Sequence, residues 1–387
     1  MQAWARGLIF CLSAAAAIAV CHWTVGRAAL SRFSNRRPPV ALDQTRFLSH
    51  YGNYGLDFLV FRFGLLGTAE RLRQADVICV GSSKSLFGMH AAYLSQRLSR
   101  PGLPVRVYNA GLGFGEGFGY SMEIVKALDL RDKVLLADLT DNTTSFDLTA
   151  MGREAMSVPS KTEAYKILVE RTLSCWRDSL LTGLLPRVKF DPARGFFAAS
   201  QSLHTSMDRS RESGDLVDTD GLPALERPDP KYPRAAHYSF GFRYSEFEQP
   251  FFEECRRRNI RIVFMSIPYD GYDPQWGAQV AEKLGALHVA VAADGIKLWD
   301  GVHMCTSGRQ LFNERLAERL LSPEIDISRC IAEVRSRRQD RAEFDLARRE
   351  TSAPPDAPAA TRPVRPVPFE EPIGNARPRQ NPSPAGR

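Results

Sequence analysis

A short apolar run that ends in glycine and serine constrains this chain more than any other stretch. Residues 75–80 (ADVICV) are almost wholly apolar, and Gly81, Ser82 and Ser83 follow at once. An unbroken apolar run of this length, bounded by glycine, is typical of a strand that is buried on both faces. Such strands lie in the middle of parallel α/β sheets, where ligands bind beside the carboxyl ends of the strands. The sequence therefore predicts a buried strand with serine hydroxyls at its functional end.

Strand-like and helix-like segments alternate along most of the chain. The predicted strands are residues 77–80, 105–108, 133–140, 261–268 and 287–292, and the predicted helices are residues 55–74, 91–99, 116–128, 245–259, 276–284 and 306–321. Strands that alternate with helices at these spacings pair in parallel, because each helix carries the chain back to the end of the sheet at which the previous strand began. The pattern predicts an α/β fold, a three-layer α/β/α sandwich with a central parallel sheet of about five strands.

Three regions are expected from the changes in composition. Residues 1–40 form a membrane anchor and linker, residues 41–330 an α/β domain, and residues 331–387 a charged and Pro/Arg-rich tail that is predicted to be disordered. A short charged helix is predicted to extend from Ile325 towards Glu350. Residues 146–244 interrupt the α/β domain and are too long for a simple connection. They are interpreted either as a lid or substrate-binding insertion or as a decorated surface excursion, and the sequence does not decide.

The anchor is predicted from residues 7–25 (GLIFCLSAAAAIAVCHWTV), a nearly charge-free run. Crossing a bilayer takes about 20 apolar residues. The run could be a cleaved signal peptide, a retained signal anchor or a buried core helix, and the anchor is favoured because no small-x-small cleavage site closes it. Four Arg follow the run and only Arg6 precedes it, which by the positive-inside rule alone would keep the bulk of the chain in the cytoplasm. Because a six-residue head is hardly a translocated domain, we expect one N-terminal transmembrane helix with the bulk of the chain periplasmic or otherwise extracytoplasmic.

Charge and cysteine content exclude several classes of function. The formal net charge is +7, but residues 1–40 carry five Arg and no acids and residues 331–387 carry eleven Arg against eight acids, so the middle of the chain is close to neutral. With no basic stripe interleaved with aromatics, nucleic-acid binding is not expected. The seven cysteines are scattered without a CxxC pair, which predicts neither a zinc site nor a disulfide framework.

The turn at residues 81–85 (GSSKS) has three competing interpretations. A phosphate loop fails because the GxxxxGK spacing is missing, and the alternating glycines of residues 111–119 likewise never satisfy the GxGxxG of a dinucleotide loop. A serine after a strand commonly caps the next helix. The third interpretation is a nucleophile, favoured by Asp300 and His303, because an Asp can orient an imidazole that then serves as base for a serine hydroxyl. A capping Asp with an incidental His, or a metal site that nothing else is placed to complete, are the alternatives.

Four short blocks occur in an order that resembles the SGNH/GDSL hydrolase superfamily. They are Gly81-x-Ser83 after the first strand, Asn109-x-Gly111 after the second, a polar turn at residues 141–144 after the third, and Asp300-x-x-His303 before the last helix. The chain is most similar to the membrane-anchored, extracytoplasmic members linked to O-acylation of cell-surface polysaccharides. The resemblance covers residues 70–145 and 255–321.

The resemblance implies a triad of Ser83 as nucleophile, His303 as base and Asp300 as the partner that orients the base. Ser83 is preferred over Ser82, because the serine of the family stands two residues after the glycine. No metal and no organic cofactor is implied.

The implied oxyanion hole departs from the family pattern. It would take the backbone N–H of Ser83, a backbone N–H of the second block and the side-chain amide of Asn142. Phe114 stands where the second block usually has its key glycine, so Gly113 or its neighbour Gly115 must substitute. The third block usually reads Gly-x-Asn-Asp, and Asn142 is only the nearest candidate for its amide.

The function expected from these blocks is that of a serine esterase or O-acyltransferase acting on acyl esters of a carbohydrate or cell-envelope polymer. Its partners would be such a substrate, the membrane through the N-terminal helix, and a membrane acyltransferase. The alternative is a non-catalytic assembly or polysaccharide-binding component of an acylation system, which the atypical second and third blocks favour.

Overall fold

Five parallel strands form the central sheet of the protein, which confirms the predicted α/β class. The computed structural model describes residues 45–51, 54–112, 118–139, 148, 150–184, 188–191, 196–199, 206–217, 249–269, 274–298 and 301–352. The strands in this part of the chain are β1 (Arg46–Tyr51), β2 (Tyr54–Gly55), β3 (Val77–Val80), β4 (Val107–Asn109), β5 (Lys133–Asp138), β6 (Val188–Asp191), β7 (Phe196–Ala199), β8 (Ser206–Ser210), β9 (Ile260–Ser266) and β10 (Leu287–Ala290). The helices are α1 (Leu56–Arg62), α2 (Thr68–Gln74), α3 (Ser83–Gly88), α4 (Ala91–Leu98), α5 (Phe118–Ala127), α6 (Ala150–Ser157), α7 (Lys161–Leu184), α8 (Gln249–Arg257), α9 (Pro274–Lys283), α10 (Thr306–Leu320) and α11 (Ile327–Ser352), with a 3₁₀ turn at Leu65–Gly67.

The order of the parallel strands creates one switch point in the sheet. The spatial order is β4-β3-β5-β9-β10, so the chain leaves β3 towards one edge and then returns to its other side. Connections on opposite sides leave a crevice between the carboxyl ends of β3 and β5, which is where ligands bind in sheets of this kind. The ends of these five strands lie within two residues of their predicted positions. The small differences arise because a strand ends where its hydrogen bonds to the neighbouring strand end.

Both faces of the sheet are buried, as the unbroken apolar run of β3 predicts. Ile78 and Val80 belong to one hydrophobic cluster with residues of α1, α5 and α8. Val77 and Cys79 belong to a second cluster with residues of α4, α10 and α11. Because successive side chains of a strand point to opposite faces, these two clusters cover opposite sides of the sheet.

The helix predicted over residues 55–74 is broken in the structure. Gly64 and Gly67 both have left-handed backbone angles, with φ +56° and +82°, on either side of the 3₁₀ turn. A left-handed residue cannot continue a right-handed helix. The segment is therefore two short helices, α1 and α2.

The predicted insertion contributes to a small antiparallel sheet that lies outside the five-stranded one. β8 pairs with β1, and β1 pairs with β2. β6 and β7 form a separate antiparallel pair. The strands near the beginning of the domain and inside the insertion were not predicted, because neither segment has a clear alternation of apolar residues.

The domain predicted to end at residue 330 continues into α11. Ile331 and Val334 are buried in the second hydrophobic cluster, and the side chain of Arg335 contacts Asp76. The boundary was placed too early because this segment is rich in charged residues and has only a narrow apolar stripe. The chain divides into two units, Met1–Gln339 and Asp340–Arg387, and the described part of the second is the end of the helix.

Within the described residues, no helix is both long and apolar enough to span a bilayer. The predicted anchor at residues 7–25 lies outside them, as do residues 353–387 of the tail.

Candidate active site

Gly81 lets the chain turn at the end of β3 while it packs closely against the end of β5. Its φ is +141°, and a Cβ at this position would overlap the Cβ of Asp138 and lie 2.8 Å from the Oγ of Ser85. Only glycine combines this backbone angle with such a close approach. The chain therefore turns at the switch point of the sheet and enters α3 directly.

The first serine of the turn, Ser82, is occupied by two structural contacts. It is the N-cap of α3, where its Oγ accepts a hydrogen bond from the backbone N–H of Lys84 at 3.3 Å. The same hydroxyl donates to Oδ2 of Asp138 at 2.8 Å, and Ser82 is buried. Capping, one interpretation of this turn in the sequence, is thus the role of Ser82.

The second serine, Ser83, contacts a histidine from the other end of the chain. Ser83 is the first residue of α3, so its side chain is not used for capping. Its Oγ lies 2.8 Å from Nε2 of His303, 220 residues away in sequence. Both residues are partly exposed, whereas the residues around Ser83, from Gly81 to Met89, are buried. A hydroxyl at hydrogen-bond distance from an imidazole, on two partly exposed residues, has the geometry of a nucleophile with its base.

Two anchors fix the loop that carries His303. Leu298 and Met304 form an antiparallel bridge across the loop, and the backbone N–H of Cys305 donates to the carbonyl of Lys297 at 3.2 Å. The ring of Phe87, from α3, lies against the imidazole with 4.8 Å between ring centroids. The loop is therefore held both at its base and by the helix that begins with the serine.

The second sequence block holds its own loop against α3. Oδ1 of Asn109 accepts from the backbone N–H of Gly111 at 3.0 Å, and its Nδ2 donates to the carbonyls of Ser85 and Leu86 at 3.4 Å. Asn109 is fully buried. This asparagine fixes the position of the loop relative to the serine helix.

Three of the predicted site residues lie outside the described part of the chain. They are Asp300, Gly113 and Asn142. The structure describes the contact between Ser83 and His303. Asp300 as the third member of the triad, and Gly113 and Asn142 as oxyanion donors, stay predictions.

A buried carboxyl group that the sequence analysis gave no role lies beside the serine turn. Asp138 closes β5 and is fully buried, and burial raises its pKa, against the opposing effects of the Lys84 ammonium and the Ser82 hydroxyl. Its second oxygen, Oδ1, has no hydrogen-bond partner among the described residues. An acid that ends an otherwise apolar strand, as in KVLLAD, is the sequence signal that could have identified it.

A second serine–histidine contact lies away from the switch point. Ser266 Oγ is 2.8 Å from Nε2 of His288, and burial lowers the pKa of this imidazole. A Cβ at Gly277 of α9 would overlap Ser266 Oγ and lie 2.7 Å from His288 Nε2. This pair is covered by a helix, so a serine–histidine distance alone does not define a site.

The buried carboxyl of Asp138 makes stability depend on pH. A carboxyl whose pKa is raised on folding stabilises the protein below its unfolded pKa of about 3.9, and this contribution is lost as pH rises through the folded value. In Asp138→Asn, which keeps an acceptor for Ser82, we expect the free energy of unfolding relative to wild type to increase from pH 4 to pH 8. Urea denaturation of both proteins across this range measures it, and a difference that stays constant with pH would contradict the assignment.

The fold and the site define an α/β protein in which a serine and a histidine meet at the switch point of a five-stranded parallel sheet. No protein-family model matches the chain, and it has no match among curated proteins.

Proposed function

We propose that this protein is a serine esterase or O-acyltransferase, with Ser83 as nucleophile and His303 as general base. The contact of 2.8 Å between Ser83 Oγ and His303 Nε2 carries the proposal. Its position at the carboxyl end of β3, beside the switch point, is where parallel α/β sheets bind their ligands.

The chemistry divides into two steps. Ser83 Oγ attacks the acyl carbon of an ester while His303 Nε2 accepts the hydroxyl proton. The tetrahedral intermediate collapses to an acyl-enzyme, and the departing alcohol takes that proton from His303. Water or a sugar hydroxyl then attacks the acyl-enzyme, with His303 again as base, which gives hydrolysis or transfer. Asp300 is proposed to orient His303, and Gly113 and Asn142 to donate to the oxyanion.

The remaining expectations form one proposal about the setting of this chemistry. The fold would be a three-layer α/β/α sandwich of the SGNH type, tethered by a transmembrane helix at residues 7–25. The bulk of the chain would lie on the periplasmic or extracytoplasmic side, where acyl esters of carbohydrate or cell-envelope polymer are the substrates and a membrane acyltransferase is a partner. The resemblance of the sequence blocks supports this setting.

The test is covalent labelling of the wild-type protein with a fluorophosphonate probe, in which a serine oxygen bonds to phosphorus and fluoride leaves. We expect a stoichiometric adduct that maps to the peptide containing Ser83, and no adduct after heat denaturation, because only the folded protein pairs Ser83 with His303. An unlabelled wild type would contradict the proposal and favour a non-catalytic assembly or polysaccharide-binding role.

A further inference from the structure

A hairpin from the predicted insertion is built into the domain next to the site. β8 (Ser206–Ser210) turns back so that Ser210 donates its backbone N–H to Asp215, at 2.8 Å, and Val217 donates to Asp208, at 3.0 Å. The hairpin reaches the end of β4, where the backbone N–H of Asn109 donates to the carbonyl of Ser213 at 2.8 Å. The hairpin therefore contacts Asn109, the first residue of the second sequence block.

The centre of this contact is Arg209, a fully buried arginine. Its Nη1 donates to the carbonyl of Gly111 at 2.6 Å, its Nη2 to the carbonyl of Asn109, and its Nε to the carbonyl of Gly214 at 2.7 Å. One guanidinium thus joins the last carbonyl of β4 and a carbonyl of the following loop to the hairpin. The planar fork of donors in arginine suits such a multiple contact, which the single ammonium of lysine cannot reproduce.

The charge of Arg209 is balanced inside the protein. Its Nη1 lies 3.3 Å from Oδ2 of Asp57, which is also fully buried and accepts a hydrogen bond from Ser49 Oγ at 3.1 Å. Burial lowers the pKa of Arg209 and the Asp57 carboxylate opposes this, so the guanidinium stays charged. Its carbon also lies 4.8 Å from the centroid of the Phe61 ring. The side chain of Arg209 is therefore held by hydrogen bonds, by an ion pair and by an aromatic ring.

The loop that Arg209 holds contacts the serine turn and the start of α3. The backbone N–H of Leu112 donates to the carbonyl of Gly81 at 2.9 Å. A Cβ at Gly111 would lie 2.7 Å from both the Cβ of Ser85 and the backbone nitrogen of Leu86. A movement of this loop would therefore change the surroundings of Ser83, beside which negative charge develops on the carbonyl oxygen of the substrate during acyl transfer.

We propose that Arg209 is a positioning residue: by holding the carbonyls of Asn109 and Gly111, it fixes Gly111 and Leu112 against the serine turn, as one wall of the oxyanion site beside Ser83. This inference rests on the proposed function and extends it to the insertion. The hydrogen bonds of the Arg209 side chain go to the hairpin, to Asp57 and to the carbonyls of Asn109 and Gly111, so we expect Arg209 to act on stabilisation of the oxyanion and not on activation of the nucleophile.

Two reactions separate these two effects. Phosphonylation of Ser83 by a fluorophosphonate needs both the His303 base and the oxyanion site. Alkylation of Ser83→Cys by iodoacetamide needs the thiolate, which displaces iodide, and no oxyanion develops. In Arg209→Lys we expect phosphonylation to slow on the order of 10²–10³-fold, the loss typical of one oxyanion donor. Alkylation of Cys in Ser83→Cys/Arg209→Lys should stay within about threefold of that in Ser83→Cys, since the base is untouched.

Arg309 provides a matched control. It is also a buried arginine, it contacts Asp215 of the same hairpin at 3.4 Å, and it donates to the carbonyl of Met89 at 2.9 Å rather than to the loop after β4. We expect Arg309→Lys to be phosphonylated within about threefold of the wild-type rate. Within the described part of the chain, the Arg309 side chain does not hold the loop after β4, so its replacement should leave stabilisation of the oxyanion unchanged.

The outcomes are distinguishable. Phosphonylation of Arg209→Lys at the wild-type rate, or equal slowing of both reactions, would overturn the inference and leave the proposed function standing. No phosphonylation of wild type would overturn both. If Arg209→Lys does not fold, the same two rates are measured in Asp57→Asn/Arg209→Met, which removes both buried charges together and leaves neither unpaired.

Discussion

Ser83→Ala is expected to abolish labelling by the fluorophosphonate probe. The Oγ of Ser83 is the atom that lies 2.8 Å from His303 Nε2, and Ser83 is a partly exposed residue. Without that oxygen no bond to phosphorus can form at this position. The fraction of protein that carries the adduct, measured by intact-mass spectrometry, should fall from near completion to background.

Two other serines serve as controls for this result. Ser266→Ala removes the other serine that lies 2.8 Å from a histidine, and it should be labelled like wild type, because α9 covers that pair. Ser82→Ala removes the cap of α3, which costs about 1 kcal/mol of stability, but should still give an adduct on Ser83. Equal labelling of wild type and Ser83→Ala would show that Ser83 is not the nucleophile.

Gly214→Ala is expected to destabilise the protein by about 3–5 kcal/mol, from backbone strain combined with overpacking. Gly214 has φ +72°, and a Cβ there would overlap the carbonyl oxygen of Asn109 and lie 2.7 Å from the ring of Tyr108. Because a backbone carbonyl cannot rotate away as a side chain can, the hairpin would have to move and give up contacts of Arg209. The free energy of unfolding from urea denaturation measures the loss.

Gly102→Ala is the matched control for Gly214→Ala. Gly102 has a similar φ of +80°, but among the described residues no atom lies within 4 Å of a Cβ built there. This variant therefore carries the cost of the backbone angle alone, about 1–2 kcal/mol. If both variants lose the same stability, the close approach of the hairpin to Asn109 is not what makes Gly214 necessary.

The parallel sheet could be predicted from the sequence because burial on both faces requires a strand to be a nearly unbroken apolar run. The run from Val77 to Val80 has to be apolar throughout, and the helices before and after each strand keep their own period. The position of the strand ends, and with it the place of Ser83 at the functional end of the sheet, follows from parallel pairing. Which of two adjacent serines caps the helix does not, because it depends on one backbone angle, the extended ψ of −170° at Ser82.

The supports around the site could not be predicted, because they depend on contacts between distant polar residues. Arg209 lies in a segment without apolar periodicity, and its partners are mostly backbone carbonyls, which every residue type offers. The role of Asp138 follows from the Gly81 turn that brings β3 and β5 together. Composition and spacing carry no record of such pairings.

The contacts of Arg209 with the loop after β4 and with Asp57 have a consequence for how the chain folds. Along the sequence Arg209 is 98 residues from Gly111 and 152 from Asp57. Closing such long loops is slow relative to forming neighbouring helices and strands. During synthesis β3, β4 and β5 emerge well before β8, so they can pair while the loop after β4 is still unclamped. The surroundings of Ser83 are therefore completed late, and a partly synthesised chain holds the serine turn beside a loop that Arg209 does not yet fix.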